Sequence, residues 1–180
     1  DLFYALPWSC GTLGFLTSVT VRIIRTKPFV HIKYIPTHSK EELCRKMTEL
    51  SYADDAPGFL EATIYSKETA IIQVAEFVDV TTAEQRKMIN PINAFYKPFY
   101  YKHVETFLDK NGGEEIVPLV DYYHRFTRSI FWELEDMIPF SNHPIYRCLW
   151  GWLGAPEVSL SWLKSAPQLL VQVRPIDSLL

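Results

Sequence analysis

Apolar and polar positions alternate through the first part of the chain, and the alternation predicts strands. Val19, Val21 and Ile23 alternate with Thr20, Arg22 and Ile24, so residues 15–25 are assigned to a half-buried β-strand. Residues 1–14 before it are punctuated by Pro7, Gly11 and Gly14 and read as a turn-rich loop. Pro28 breaks the pattern, and residues 29–35 resume it as a second strand. Ser39 opens a helix, with Glu42 three residues on as a capping box and Leu43, Met47 and Leu50 as one apolar face. After the Pro57-Gly58 turn, two β-rich stretches, 59–65 and 70–78, flank Ser66–Thr69 as a hairpin. The order β-α-β-β predicts an antiparallel sheet with a helix packed on one face.

Beyond residue 90 the pattern changes. Pro98 suits a first helical turn, Tyr101, Val104 and Leu108 continue a helical stripe, and Asn111-Gly112-Gly113 ends it. Residues 118–138 mix apolar, aromatic and charged positions in a way that leaves helix and strand both open. Residues 144–164 set Trp150, Trp152 and Trp162 among Gly, Pro and Leu.

The 180 residues suffice for one ordinary domain, or for one and part of another; 48% are hydrophobic and 22% charged, a globular rather than disordered balance. A formal charge of −3 excludes a strongly basic nucleic-acid binder. Cys10, Cys44 and Cys148 are too dispersed for a disulfide framework or a zinc pattern and point to a reducing environment. His31, His38, His103 and His143 lack metal-ligand spacing, so no metal is assigned. Leu2 to Val21 carries no charge, yet Pro7, Gly11, Gly14 and several hydroxyl residues dilute it below a membrane span, which needs about 20 predominantly apolar residues. It reads as buried loop and strand. No secretory signal is visible, and the lack of an initiating Met suggests that the natural N-terminus lies upstream.

Aromatic residues reach 14%, and two segments concentrate the candidate chemistry. In Cys10-Gly11-Thr12-Leu13-Gly14-Phe15, glycines allow close backbone approach to a bulky ligand; an ordinary turn feeding a strand explains them as well. The run from Tyr122 to Phe140 packs two Arg, one His and three carboxylates among rings. It reads either as a core element with its charges paired at the edge, or as a cavity wall with rings against an apolar substrate and a titratable proton donor. The cluster Phe95, Tyr96, Phe99, Tyr100 and Tyr101 is likewise either ordinary packing or a wall for an apolar ligand or membrane, and Pro144 to Lys164 is either a buried loop or an interfacial segment.

The Gly-Thr-Leu-Gly loop, followed by Thr17-Ser18-Val19-Thr20-Val21-Arg22, resembles the signature at the end of the FAD-binding domain of vanillyl-alcohol-oxidase type flavoenzymes. Within that group, YYHRFTRSIFWELEDMIPF, the Asn142-His143-Pro144-Ile145 and Gly151-Trp152 that follow it, Asp1–Ala5 with Pro7–Cys10, and Tyr96-Lys97-Pro98 with Lys102–Glu105 resemble the Delta(24)-sterol reductase family, in order, over residues 1 to about 164. The resemblance implies an α+β chain: the end of an FAD-binding domain (1–27), part of a substrate-cap domain with an antiparallel sheet (28–164), and a divergent tail (165–180). It implies FAD and NADPH as cofactors, a sterol as substrate, no nucleic acid, and association with the endoplasmic reticulum membrane; protein partners stay undefined. Cys10, Gly11, Thr12, Gly14 and Phe15 are expected to contact FAD. Tyr123 and His124 are the candidate proton donors, and Tyr122, Phe131 and Trp132 the candidate substrate wall. Arg125, Arg128 and Glu133 either hold the donor or contact the nicotinamide phosphate, with structural pairing expected for at least two. Two other readings stay open: a flavin oxidase or dehydrogenase of a small hydroxy compound, and an inactive fragment that only packs or binds.

Overall fold

A computed structural model describes residues 2–15, 17–130 and 132–154. The chain divides into two compact units, with residues up to Arg25 in the first and Thr26 opening the second.

In the first unit, α1 (Leu2–Ala5) runs into a 3-10 turn, Leu6–Trp8. Ser9 closes that turn by donating its amide and its hydroxyl to the Leu6 carbonyl. The strand expected over 15–25 does not form: residues 17–27 carry no regular structure, and Val19, Val21, Ile23 and Ile24 are exposed rather than buried. Alternation specifies which side chains share a face, but a strand exists only where a neighbour completes the hydrogen-bond ladder. Among the described residues none does so.

The second unit is built on β1 (Phe29–Thr37), α2 (Lys40–Ser51), β2 (Phe59–Ile64), β3 (Ala70–Val78), α3 (Ala83–Lys87), α4 (Tyr100–Asp109), β4 (Gly113–Pro118), α5 (Leu119–Tyr123), α6 (Glu133–Met137) and α7 (Pro144–Trp150), with a last 3-10 turn at Gly151–Gly154. The strands form one antiparallel sheet in the order β2-β3-β1-β4. Ser39 caps α2 by accepting the Glu42 amide at 3.1 Å. The Glu42 carboxylate reaches one residue further back than the expected box, to the His38 amide at 2.9 Å. The hairpin is as expected, its turn held by Ser66 and Thr69.

Period-two alternation places Val30, Ile32 and Tyr34 of β1 on one face with Ile71 and Ala75 of β3 and Val117 of β4. Helix α4 closes that face with Tyr100, Val104 and Phe107, a stripe shifted from the expected 101, 104 and 108. Tyr101 and Leu108 are only partly buried. The shift brings Phe107 onto Tyr34, ring centroids 4.0 Å apart. Between α4 and β4, Gly112 sits at φ 100, where a Cβ would lie 2.9 Å from the Tyr34 carbonyl oxygen, so both the turn and the close approach require glycine. Helix α2 contributes no residue to the core cluster.

Candidate active site

The glycine loop of the first unit has the backbone that its composition suggests. Cys10, Gly11 and Gly14 all have positive φ, at 49°, 83° and 153°. No atom lies within 4 Å of a Cβ built on either glycine, so the demand for glycine is conformational and the main chain there is open to approach. Thr12 ties the loop back to the Ser9 carbonyl through its amide and hydroxyl. Phe15 is exposed at its end. An accessible, glycine-bent backbone of this kind fits a bulky ring system lying against it.

In the second unit the sheet face under α4 and α5 is crossed by a polar row. Register aligns Glu61 of β2 with Gln73 of β3, and Gln73 with Tyr34 of β1. Tyr34 donates to Glu115 of β4 at 2.6 Å and meets the Tyr100 hydroxyl at 3.3 Å. Tyr100 donates to Gln73 at 2.6 Å, and Gln73 passes its amide to Thr63 at 2.9 Å. The Glu115 carboxylate also contacts His103 Nε2 at 2.9 Å and accepts from Asn90 at 2.7 Å, and Asn90 accepts from Lys97 at 2.8 Å. Two hydrogen-bonded chains thus run, one from Tyr100 through Gln73 to Thr63 and one from Tyr34 through Glu115 and Asn90 to Lys97, and they touch where the two hydroxyls, each with its proton given elsewhere, lie 3.3 Å apart. Burial and the nearby carboxylate push the Tyr34 hydroxyl well above its ordinary pKa, and burial does the same to Tyr100. Burial raises Glu115 too, but hydrogen bonds from His103, Tyr34 and Asn90, with the attraction of His103, outweigh it and hold the carboxyl below its usual range.

The candidate residues of the 122–134 segment part company in space. Tyr122 is buried in the core, donating to Glu61 at 3.0 Å beneath the Arg125 guanidinium, which lies 4.1 Å from its ring centre. Arg125 is itself ion-paired with Glu61 and donates to the Tyr122 carbonyl. Tyr123, the last residue of α5, is 56% exposed, and Trp132 59%. His124 caps α5 from outside, its Nδ1 3.3 Å from the Thr127 hydroxyl. Phe131 lies outside the described residues, as does the tail 165–180. Of the three auxiliary candidates, Arg125 forms an ion pair, Glu133 is exposed, and Arg128 donates to main-chain carbonyls: Phe95 at 2.8 Å, Lys97 at 2.9 Å and Ile92 at 3.4 Å.

Arg128 belongs to an arrangement that the sequence reading missed. Arg147 of α7 donates to the Tyr96 carbonyl at 2.9 Å, and Asn142 accepts the Phe99 amide at 3.0 Å. Two buried arginines therefore hold the loop before α4 by its backbone, presenting Phe95 and Tyr96 outward while Phe99 and Tyr100 turn into the core. Burial lowers the pKa of both guanidinium groups. An arginine that bonds carbonyls rather than carboxylates leaves no charge pattern in a sequence. Ile130, a β-branched residue, adopts φ 47, and Phe140 φ 68. Strain of this type is uncommon outside turns and functional segments. Phe140, His143, Ile145, Tyr146, Leu149 and Trp150 line an open apolar groove of about 410 Å³.

Among the described residues no group of three or more His, Cys, Asp or Glu is placed to hold a metal, and no helix is long and apolar enough to cross a membrane. No protein-family model and no solved structure matches the chain. Curated relatives do. The chain is 48% identical over 161 residues to the Delta(24)-sterol reductase of Homo sapiens, 39% over 161 residues to the homolog of Caenorhabditis elegans, and 34% over 167 residues to the Delta(24)-sterol reductase of Arabidopsis thaliana. The matches cover 88–89% of this chain and 30% of each relative. Over nearly all its length, therefore, the chain is a relative of the Delta(24)-sterol reductases, corresponding to 30% of theirs.

Proposed function

We propose that this chain is a segment of an FAD-dependent, NADPH-driven sterol reductase that acts at the endoplasmic reticulum membrane on a side-chain double bond. The observation that carries the reading is the similarity to Delta(24)-sterol reductases across nearly the whole chain, from animals to plants. In this reading residues 1–27 end the FAD-binding domain, with the tail at 165–180 divergent from the family. Residues 28–164 form part of the substrate cap.

The positive-φ loop supports flavin contact by Cys10, Gly11, Thr12, Gly14 and Phe15: the two glycines leave the main chain open, and Phe15 adds an exposed ring beside it. When bound, FAD reduced by NADPH supplies the hydride. An unpolarised alkene also needs an acid, to protonate the less substituted carbon and leave positive charge on the other. Tyr123 and His124 hold their polar groups at the end of α5, where either can present a proton to a ligand. Tyr122 acts from beneath, as a positioning residue: its bond to Glu61 and the Arg125 above it fix α5 against the sheet. Trp132 and Phe131 offer the apolar wall. Among the alternatives, a small hydroxy acid would want polar carboxylate-binding groups where this segment exposes rings.

The test is a graft. The segment replaces its counterpart in the full-length human relative, and flavin content and sterol reduction with NADPH are measured. A yellow, active chimera supports the reading, and Gly11→Val or Gly14→Val should then lower flavin content without loss of fold. A folded chimera that binds FAD but reduces no sterol overturns it.

A further inference from the structure

Helix α7 is entered through Asn142-His143-Pro144, and the loop before α4 is fastened on both sides of that entry. Asn142 accepts the Phe99 amide at 3.0 Å, and Arg147, one turn on, donates to the Tyr96 carbonyl at 2.9 Å. The start of the helix lies between these two fastenings. Pro144 has no amide, so Ile145 carries the first N–H that the helix leaves without an acceptor of its own. The ordinary caps are Ser, Thr, Asp and Asn. Here the cap is His143: its Nδ1 accepts the Ile145 amide at 3.3 Å, and its carbonyl accepts the Arg147 amide at 3.0 Å.

The direction of the side-chain bond fixes the ring. A backbone amide can only donate, so Nδ1 presents a lone pair, and the proton of the neutral imidazole sits on Nε2. A second proton has to go to Nδ1. There it meets the Ile145 N–H, donor against donor, and adds positive charge at the end of the helix whose dipole is already positive. A Ser, Thr or Asn cap keeps one form across the neutral range, whereas imidazole titrates within it. Among the described residues no carboxylate is ion-paired with His143 to offset the added charge. The ring lines the groove with the apolar Phe140, Ile145, Leu149 and Trp150; Tyr146 is the other titratable group there, and the Arg147 guanidinium is turned to Tyr96.

We propose that His143 is a pH-sensitive cap: uptake of a proton at Nδ1 releases the first turn of α7, and with it the hold of Arg147 on the loop before α4. The unprotonated ring makes the cap, so its contribution is complete on the alkaline side of the imidazole titration and is lost as pH falls through it. The effect is local, because the ladders of β1 and β3 do not pass through α7. What it moves is the loop that presents Phe95 and Tyr96 outward.

Amide protection in the 180-residue chain, corrected for intrinsic exchange, is compared at about pH 8 and about pH 5, on either side of the imidazole titration. In the wild type, Ile145 and Arg147 should lose about fivefold in protection at the lower pH, the equivalent of one cap. Lys97, whose amide bonds the Ala94 carbonyl inside the clamped loop, should follow them, while the amides of β1 and β3 hold. His143→Asn supplies a cap that does not titrate and should keep these amides protected at both pH values. His143→Ala should be frayed at both. Nitrogen chemical shifts of the wild-type ring on the alkaline side should show Nδ1 bare and Nε2 protonated, a reading that needs no variant to fold. Equal wild-type protection at the two pH values overturns the proposal. So does an acid loss in His143→Asn that matches the wild type, wild-type protection in His143→Ala on the alkaline side, or a neutral ring with its proton on Nδ1.

Discussion

The sheet with α4, residues 29–118, and the segment that follows it, residues 119–154, are held together by different forces. In the first, the ladders of β1–β4 satisfy the main chain, and Val30, Ile32, Ile71, Val104 and Val117 fill one apolar face. In the second, three helices of five to seven residues are too short to stand on propensity, and the order comes from side chains that reach across to main chain: Arg128 and Arg147 to the loop at 92–97, Asn142 to Phe99. A ladder tolerates almost any outward side chain. A clamp depends on particular guanidinium groups, and leaves the rings around it outside: Tyr123, Trp132, Phe140 and Trp150 are all exposed. The segment that carries the candidate chemistry is thus the one whose rings are least committed to the core.

The largest effect should come from the ladder region. Ile32 is fully buried at the centre of the core face, and Ile32→Ala removes packing that the rigid sheet cannot close over. A loss of about 2–5 kcal/mol is expected, read from the denaturant midpoint at unchanged slope. A loss below 1 kcal/mol would mean that the sheet is not the stabilising half.

Next comes the clamp. Arg128→Ala leaves the carbonyls of Ile92, Phe95 and Lys97 without their donor, and should cost about 2–4 kcal/mol. The comparison is sharpened by where the damage shows. Amide exchange should quicken in the loop before α4 and in residues 119–154, while β1 and β3 keep their protection. Uniform loss of protection would mean that the two regions unfold as one.

A smaller effect, confined to acid, is expected from Glu115. Its folded-state pKa lies below the ordinary carboxylate value, so its contribution is complete above the unfolded pKa and is lost as pH falls through the folded one. Unfolding midpoints taken downward from neutral pH should therefore drop in acid, and Glu115→Gln should flatten that limb. An unchanged limb would place the acid sensitivity elsewhere.

How far each region is legible in the sequence follows from the same physics. The cap at Ser39, the alternation of β1 and the hairpin at Ser66–Thr69 are local signals, and the structure realises them. Strand β4 is hidden because GEEIVP is short, begins in the turn that ends α4, and is a strand only by virtue of β1 beside it. Residues 17–27 show the converse, alternation without a ladder. The stripe on α4 is displaced because Phe107, not Leu108, meets Tyr34. In the candidate site, the glycines mark the loop in the sequence, but the positive φ at Gly11 and Gly14 is read from the structure. The clamp is illegible, since its acceptors are carbonyls that every residue carries.

The smallest stability change should accompany the most informative substitution. Trp132 is 59% exposed just before α6, so Trp132→Ala should move the stability of the 180-residue chain by no more than about 0.5 kcal/mol. If its ring serves the ligand, the same change in the grafted full-length reductase should raise KM for sterol several-fold while kcat and flavin content hold, because binding shared by ground state and transition state is what is lost. A fall in melting temperature of several degrees with KM unchanged would put Trp132 with Tyr122 among the core residues. The contrast between a buried sheet and an exposed aromatic segment would then end at residue 132.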